Sequence, residues 1–561
     1  MTIIRTLISL ILSLAVMTGG NFTLFTPPSQ EPPQRTEARF EEVEYRRPDL
    51  NALNAAADSV AALVASGANP AEAWESLNAF FRLYDSFYSM SNIARIRSFS
   101  DVGDSFYDGE YAWCLEQSAE AERLLERVYL ACGGCEKAES FEKEYFGEGF
   151  LARYGKDAAE RYSDAAVELR RKEAGFVNSY YELIAAPTLR FGGEDLPLDD
   201  CLRVAGEERQ YEVLLEYYRQ YNSRIAYLYT ALVRVRTELA HEMGYESVWE
   251  MYAEQYGRDL DRAEANAYLD GIAEKIAPLY RNRLLSEAAE IPSVEEETLF
   301  TLLKTAANSI GGRTREAYDY LRSHSMGDFA ARPEKAAESF TVYLSDLNTP
   351  FAFVSAVGDA TDIFTVFHEF GHFTQMFADY NAERSLDLSE CFSQGMELLA
   401  LTKCGAVLDD ESFRALRTLK YEDLLSVYAQ QGLFARFEDA VYSLDPDTLS
   451  ASTLNSLSLA CAKEFGMSEF LDEEYCSYLW MDATHFILYP YYVLSYCVSS
   501  DAALQMFALE SEREGAGIAA FEALLDTEEA AFLPALEKAG LQSPFAEGRA
   551  AALAEELKRF A

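Results

Sequence analysis

Three residues have the types and spacing to do chemistry: His368, Glu369 and His372, in the run Phe364-Thr365-Val366-Phe367-His368-Glu369-Phe370-Gly371-His372-Phe373. On an α-helix, residues four apart leave the same face, so both imidazoles can bind one metal ion. Glu369 follows His368 directly, where its carboxylate can reach a water on that metal. The neighbours Phe364, Val366, Phe367, Phe370, Phe373, Met376 and Phe377 are apolar, so the helix is expected to be buried. Two imidazoles and a carboxylate buried together are costly unless something satisfies them, and a zinc ion satisfies all three. The chain has five histidines, His241, His324, His368, His372 and His485, and two of them stand at this spacing.

A hydrolytic zinc site uses three protein ligands and keeps one position open. The third ligand is expected from a neighbouring helix, and Leu386 to Ala400 offers one. Glu390 and Glu397 are seven apart there, two helical turns, on one face. Glu390 is assigned as the third ligand, and Glu397 as the acid that holds a ligand imidazole by a hydrogen bond. Asp387 and Cys391 compete for the ligand position, although a thiolate suits a structural site better than a hydrolytic one.

Amide hydrolysis passes through an oxyanion, which needs donors beside the metal. The stretch His485-Phe486-Ile487-Leu488-Tyr489-Pro490-Tyr491-Tyr492-Val493-Leu494-Ser495-Tyr496 supplies them. Tyr492 and Tyr496 are four apart and face one way on a helix, with His485 two turns earlier. Tyr489 and Tyr491 read as core aromatics.

The elements that must position these residues are mostly helical. Ala55 to Ser66 reads as a helix ending near Gly67, and Asn69-Pro70 opens another through Trp74, Leu77, Phe80, Phe81 and Tyr84. Ala119 to Ala131 and Ala158 to Ala185 are further amphipathic helices. Gly548 to Ala561 closes the chain with Leu553, Leu557 and Phe560 on one face. Two islands differ. Residues 188–198 read as a hairpin around Gly192-Gly193. Residues 339–344 and 351–357 read as two strands just before the metal helix, where a strand edge can take an extended peptide backbone. No repeat of solenoid period is present.

The helix with His-Glu-Phe-Gly-His, followed by Glu-x-x-Ser-x-x-x-Glu at 390–397, resembles the M3 family of zinc metallopeptidases, of thimet oligopeptidase and oligoendopeptidase F type. Asp362 to Phe367, Leu239 to Tyr245, the strands at 339–357 and His485 to Tyr496 also look like family segments. The likeness covers roughly residues 180–561 and, more loosely, the N-terminal helices. At 339–342, Ser-Phe-Thr-Val departs from the family's Gly-rich start. The resemblance implies a large two-lobed, mainly α-helical metallopeptidase with a small β-sheet beside the active-site helix. It also implies a deep channel that admits short peptides. Its implied roles fall on Glu369 as general base, on His485, Tyr492 and Tyr496 as oxyanion or carbonyl donors, and on one zinc per chain. The expected reaction is endopeptidase cleavage of short peptides. The alternatives are an exopeptidase of dipeptidase or carboxypeptidase type, or an inactive peptide binder, which would have no need of Glu369.

At 561 residues the chain has room for a large core, and half of it is hydrophobic, with 35 Tyr and 35 Phe. A net charge of −45 argues against nucleic acid or an anionic membrane surface as partner. Arg5, the apolar run Leu7 to Met17 and the small residues Thr18 to Gly20 read as an export signal. That run is short of the roughly 20 residues of a spanning helix, so membrane contact is expected only through an uncleaved anchor. The expected organisation is a signal or anchor at 1–26, a Pro-rich linker at 27–48, an N-terminal helical region with the small hairpin at 49–205, and a catalytic region at 206–561. Export places the protein at the cell surface or beyond. Nine irregularly spaced cysteines do not form a disulfide framework. Cys132-Gly-Gly-Cys135 lacks a thioredoxin-like context and reads as a structural disulfide or two plain thiols. His241 lacks a second histidine at ligand spacing, and His324 reads as a surface residue.

Overall fold

The computed structural model describes residues 34–147, 150–154, 163–184, 187–206, 209–284, 293–379 and 384–560. The expected signal at 1–26 and the start of the linker lie outside the described residues. In chain order the elements that bear on the site are α1 (Leu50–Ala65), α2 (Pro70–Ser100), α3 (Ser105–Gly133) and α4 (Asp164–Ile184). The hairpin β1 (Thr188–Phe191) and β2 (Glu194–Pro197) follows, then α5 (Gln210–Glu242). Next come β3 (Gly327–Asp328), β4 (Phe340–Leu344), β5 (Thr349–Phe353), α6 (Thr361–Ala378) and α7 (Leu386–Cys404). The last are α8 (Gly432–Tyr442), α9 (His485–Leu488), α10 (Val493–Glu512) and α11 (Arg549–Phe560). Among the described residues the fold is mainly α with two small sheets.

The described residues fall into two compact units. One draws on segments 34–162 and 293–383, the other on 163–292 and 384–561. In the first, α1, α2 and α3 pack on one another around Leu77, Phe80, Phe81, Tyr84, Leu124 and Val128. Asn69 and Glu72 exchange hydrogen bonds with each other's backbone N–H groups at 3.0 and 2.7 Å. With Pro70 at the first helical position, this capping box starts α2 where the sequence predicts it. α1 begins at Leu50, earlier than the Ala-rich run, because Asp49 caps it by accepting from Ala52 N–H at 3.0 Å.

The three-stranded sheet of this unit has the order β3-β5-β4. β3 runs parallel to β5, and β4 pairs antiparallel with it in the register Phe340↔Phe353 to Leu344↔Thr349. β4 is an edge strand, and α6 packs against both β4 and β5. The second predicted strand is shifted: it spans Thr349–Phe353 rather than 351–357. The cause is Asp362, which is buried. Its carboxylate accepts the N–H groups of Val357 at 2.9 Å and Gly358 at 2.7 Å. Those donors are taken from the ladder to start α6, and Gly358 adopts φ +90°, which glycine tolerates.

In the second unit α4 lies along α5, α7 along α10, and α11 closes on α10. Leu553, Leu557 and Phe560 are all buried, as their shared face predicts. The β1–β2 hairpin turns at Gly192-Gly193, both at positive φ. Cys132 and Cys135 are free thiols, as are the other seven cysteines. No helix among the described residues is long and apolar enough to cross a membrane.

Candidate metal centre

α6 presents its motif from a packed helix. Phe367, Phe370 and Phe373 are buried, and so are His368 and Glu369, each 3 % exposed. His372 keeps partial exposure. The two imidazole rings stand 4.9 Å apart between centroids. Loss of water around His372, and then the neighbouring His368, push its pKa well below the usual imidazole value. It is therefore neutral near pH 7, the form that ligates a metal.

On the next helix Glu390 is buried. A ring nitrogen of His368, one of His372 and a carboxylate oxygen of Glu390 all lie within 4.8 Å of one another. Zinc bonds of about 2.0–2.2 Å put neighbouring tetrahedral donors roughly 3.4 Å apart, so small side-chain shifts close the set on one ion. Two neutral imidazoles and a carboxylate also match the donor chemistry of a hydrolytic zinc site. The residues present fit the metal.

Asp387 and Cys391, the rivals for the third ligand, are engaged elsewhere. Asp387 is fully buried in a fork with Arg258, Nε to Oδ2 at 3.0 Å and Nη2 to Oδ1 at 3.1 Å. The Cys391 thiol donates to the Asp387 carbonyl at 3.3 Å. Glu397 is buried and accepts from Lys420 Nζ, which also bonds Asp423 at 2.6 Å. Glu390 itself accepts from Ser393 Oγ at 3.1 Å and from the Tyr492 hydroxyl at 2.7 Å. Burial, and then the Glu390 carboxylate, push the Tyr492 pKa well above that of an ordinary phenol. Tyr492 thus stays a neutral donor.

The expectation of one helix running from His485 to Tyr496 is corrected. α9 ends at Leu488, Pro490 and Tyr491 make a turn, and Tyr492 immediately precedes α10. The break arises because Tyr491 takes φ +63°, which no right-handed helix accommodates. The reversal still brings the three residues together. His485 Nε2 is 3.4 Å from the Tyr496 hydroxyl, and the Tyr492 ring lies 5.5 Å from His485 and 5.3 Å from Tyr496. Burial pushes the His485 pKa down to about 4, so its ring is neutral at physiological pH.

Sequence reading missed several supports. Thr341 on β4 stands with its hydroxyl 2.7 Å from Glu369 Oε2 and 3.0 Å from the Glu369 carbonyl. Arg236 on α5 donates to the Phe486 carbonyl at 2.7 Å and the Ile487 carbonyl at 2.5 Å, fixing α9. Buried acids such as Asp387 on an apolar helix were a visible signal that bases must meet them. Which bases they are, more than a hundred residues away, was not visible. His241 is exposed, and His324 is partly buried against the Tyr320 ring at 4.1 Å.

Residues 40–154 match the family model described as the Peptidase M3 N-terminal domain. No curated protein sequence matches the chain. Solved structures do, among them the following three. One described as an oligoendopeptidase F is 22 % identical, with TM-score 0.78, covering 93 % of this chain and 98 % of its own. PZ peptidase A with an inhibitor is 20 % identical at TM-score 0.78 with the same coverage. A Bacillus anthracis str. Ames protein described as an oligoendopeptidase F is 19 % identical at TM-score 0.74, again covering 93 % and 98 %. Residues 40–154 thus resemble an M3 peptidase N-terminal domain, and the chain has the oligoendopeptidase F-like fold of these structures. The family model matches the N-terminal helices, where the motif resemblance was loosest.

Proposed function

We propose that this protein is a zinc-dependent endopeptidase that cleaves internal bonds of short peptides. The observation that carries the reading is the convergence of His368, His372 and Glu390, with Glu369 between the two histidines on the same helix. A zinc ion held by those three residues would supply Lewis acidity, activating water and polarising the scissile carbonyl. Glu369 takes the proton of the attacking water and passes it to the leaving amine. The Thr341 hydroxyl holds the Glu369 carboxylate in one orientation. Tyr496 and neutral His485 donate hydrogen bonds to the oxyanion or the substrate carbonyl, while the single hydroxyl proton of Tyr492 goes to Glu390. Glu397 steadies a ligand imidazole while Lys420 balances its charge. The edge strand β4, which packs against α6, takes the extended substrate backbone. The restriction to short peptides rests on likeness to structures described as oligoendopeptidases. The apolar run near the N-terminus supports an exported enzyme.

The test is hydrolysis of internally quenched peptides of increasing length, with product masses read out and Glu369→Gln run beside the parent. Internal cleavage of short peptides, lost in a Glu369→Gln variant that still binds zinc, is expected. Release of terminal residues alone would move the reading to an exopeptidase. Equal rates for parent and variant would contradict the general-base role.

A further inference from the structure

Tyr491 is a bulky residue at φ +63°. L-residues avoid that region because Cβ crowds the backbone, and such conformations persist where the surroundings over-determine them. Here they are over-determined on both sides of the residue. The Tyr491 N–H donates to Glu438 Oε2 at 2.7 Å, and its carbonyl accepts from Arg258 Nη1 at 3.2 Å. Glu438 is completely buried on α8 and Arg258 is 8 % exposed. The Tyr491 ring is packed between Trp249 and Tyr442, at 5.0 and 5.4 Å.

Arg258 also ties the clamp to the metal centre. Its fork holds Asp387, three residues before Glu390 on α7. Its Nη2 donates to Ser495 Oγ at 2.8 Å, three residues after Tyr492 on α10. Ser495 Oγ in turn donates to Asp387 Oδ1 at 2.6 Å. One buried guanidinium therefore joins the helix that carries Glu390 to the turn that carries Tyr492. At the end of that path the Tyr492 hydroxyl rests on Glu390.

We propose that Glu438 and Arg258 are positioning residues: by locking Tyr491 in the left-handed conformation they set the Tyr492 hydroxyl on Glu390 and so orient that carboxylate before metal arrives. The inference rests on the reading of Glu390 as a metal ligand. A ligand already held in place loses less freedom on binding, and partners that orient metal ligands commonly change metal affinity by about 10- to 100-fold. Burial pushes Glu438 up to about 8, so near neutral pH its side chain is a neutral acid accepting one N–H. Glutamine copies that form, and leucine removes the acceptor at similar volume.

The experiment measures zinc affinity by chelator competition on metal-stripped full-length protein, with the melting temperature of each apoprotein as a folding check. The variants are Glu438→Leu, Glu438→Gln, Tyr492→Phe and the double variant Glu438→Leu/Tyr492→Phe. Glu438→Leu is expected to weaken zinc binding about 10-fold, and Glu438→Gln to restore parental affinity. The double variant is expected to bind no more weakly than Tyr492→Phe, because residues acting through one contact are not additive. Parental affinity in Glu438→Leu, or losses that add in full, would overturn the clamp while leaving the metal site standing. A parent that binds no zinc would overturn both. If Glu438→Leu does not fold, Arg258→Lys is read by the same cycle, since lysine keeps a charge facing Asp387 but loses the Nη1 bond to the Tyr491 carbonyl.

Discussion

The helix Thr361–Ala378 and the turn from His485 to Tyr496 are both buried, and both are rich in aromatic rings, yet different forces hold them. The metal helix is seated by burial of the apolar rings of Phe367, Phe370 and Phe373, with polar support from Asp362 at its start and from Thr341 on Glu369. The tyrosine turn is seated by buried polar and charged side chains. Arg236 fixes two carbonyls of α9, and Arg258 and Glu438 grip Tyr491 from either side. A regular helix satisfies its own backbone, so packing is enough to place it. A turn with φ +63° leaves N–H and C=O groups that only buried polar side chains can satisfy without water. The irregular half of the site is therefore built from ion pairs and charged hydrogen bonds.

Variants can break or sharpen this contrast. The largest effect is expected from Glu369→Gln, with roughly 10²–10⁴-fold loss of hydrolysis and zinc content unchanged, measured by turnover and elemental analysis. Next comes a matched pair read by chemical denaturation. Phe370→Ala on the metal helix is expected to cost about 3–5 kcal/mol through a cavity. Arg236 Nε also donates to Glu173 at 2.5 Å, so Arg236→Met is expected to cost about 3–5 kcal/mol for a different reason, the stranding of Glu173 and the Phe486 and Ile487 carbonyls. Phe370→Leu should recover most of the first loss, whereas Arg236→Lys should recover little of the second, because lysine cannot serve both carbonyls and Glu173. Equal recovery in both would erase the distinction.

A smaller effect is expected from pH. His485 has a folded pKa of about 4, below the roughly 6.5 of an unfolded imidazole. Between those values the unfolded chain holds the proton and the folded chain does not, so stability falls as pH drops from about 6.5 and the loss is complete near 4. That shift corresponds to about 3 kcal/mol, and His485→Gln should flatten that part of a pH–stability curve. Glu438, raised to about 8, acts in the opposite sense. Its contribution is present at acid pH and is lost as pH rises from about 4.3, the unfolded value, through 8. The smallest effect is Thr341→Val, expected to lower kcat about 10-fold or less, as loss of one hydrogen bond to a charged group implies, with KM unchanged.

The same contrast explains what could be read without coordinates. His368, Glu369 and His372 were legible because a helix writes its faces into local spacing, and Glu390 was legible as the acid two turns from Glu397. α2 and α11 were legible from the Asn69-Pro70 opening and a Leu-Leu-Phe face. The tyrosine turn was misread as continuous helix because nothing between His485 and Tyr496 announces the partners that bend it. Those partners, Arg236, Arg258 and Glu438, lie some 50 to 250 residues away in sequence. The end of β5 was misjudged for a related reason, since Asp362 draws the Val357 and Gly358 N–H groups out of the ladder.

The central claim is that both regions serve one metal ion, and zinc titration of the metal-stripped protein tests it most directly. The account predicts about one zinc per chain, as a three-ligand site requires. It also predicts loss of that site in His372→Ala and weaker binding in Tyr492→Phe, with the melting of the metal-free variants unchanged from the parent. No bound zinc in the parent, or a Tyr492→Phe variant that binds as tightly as the parent, would contradict it.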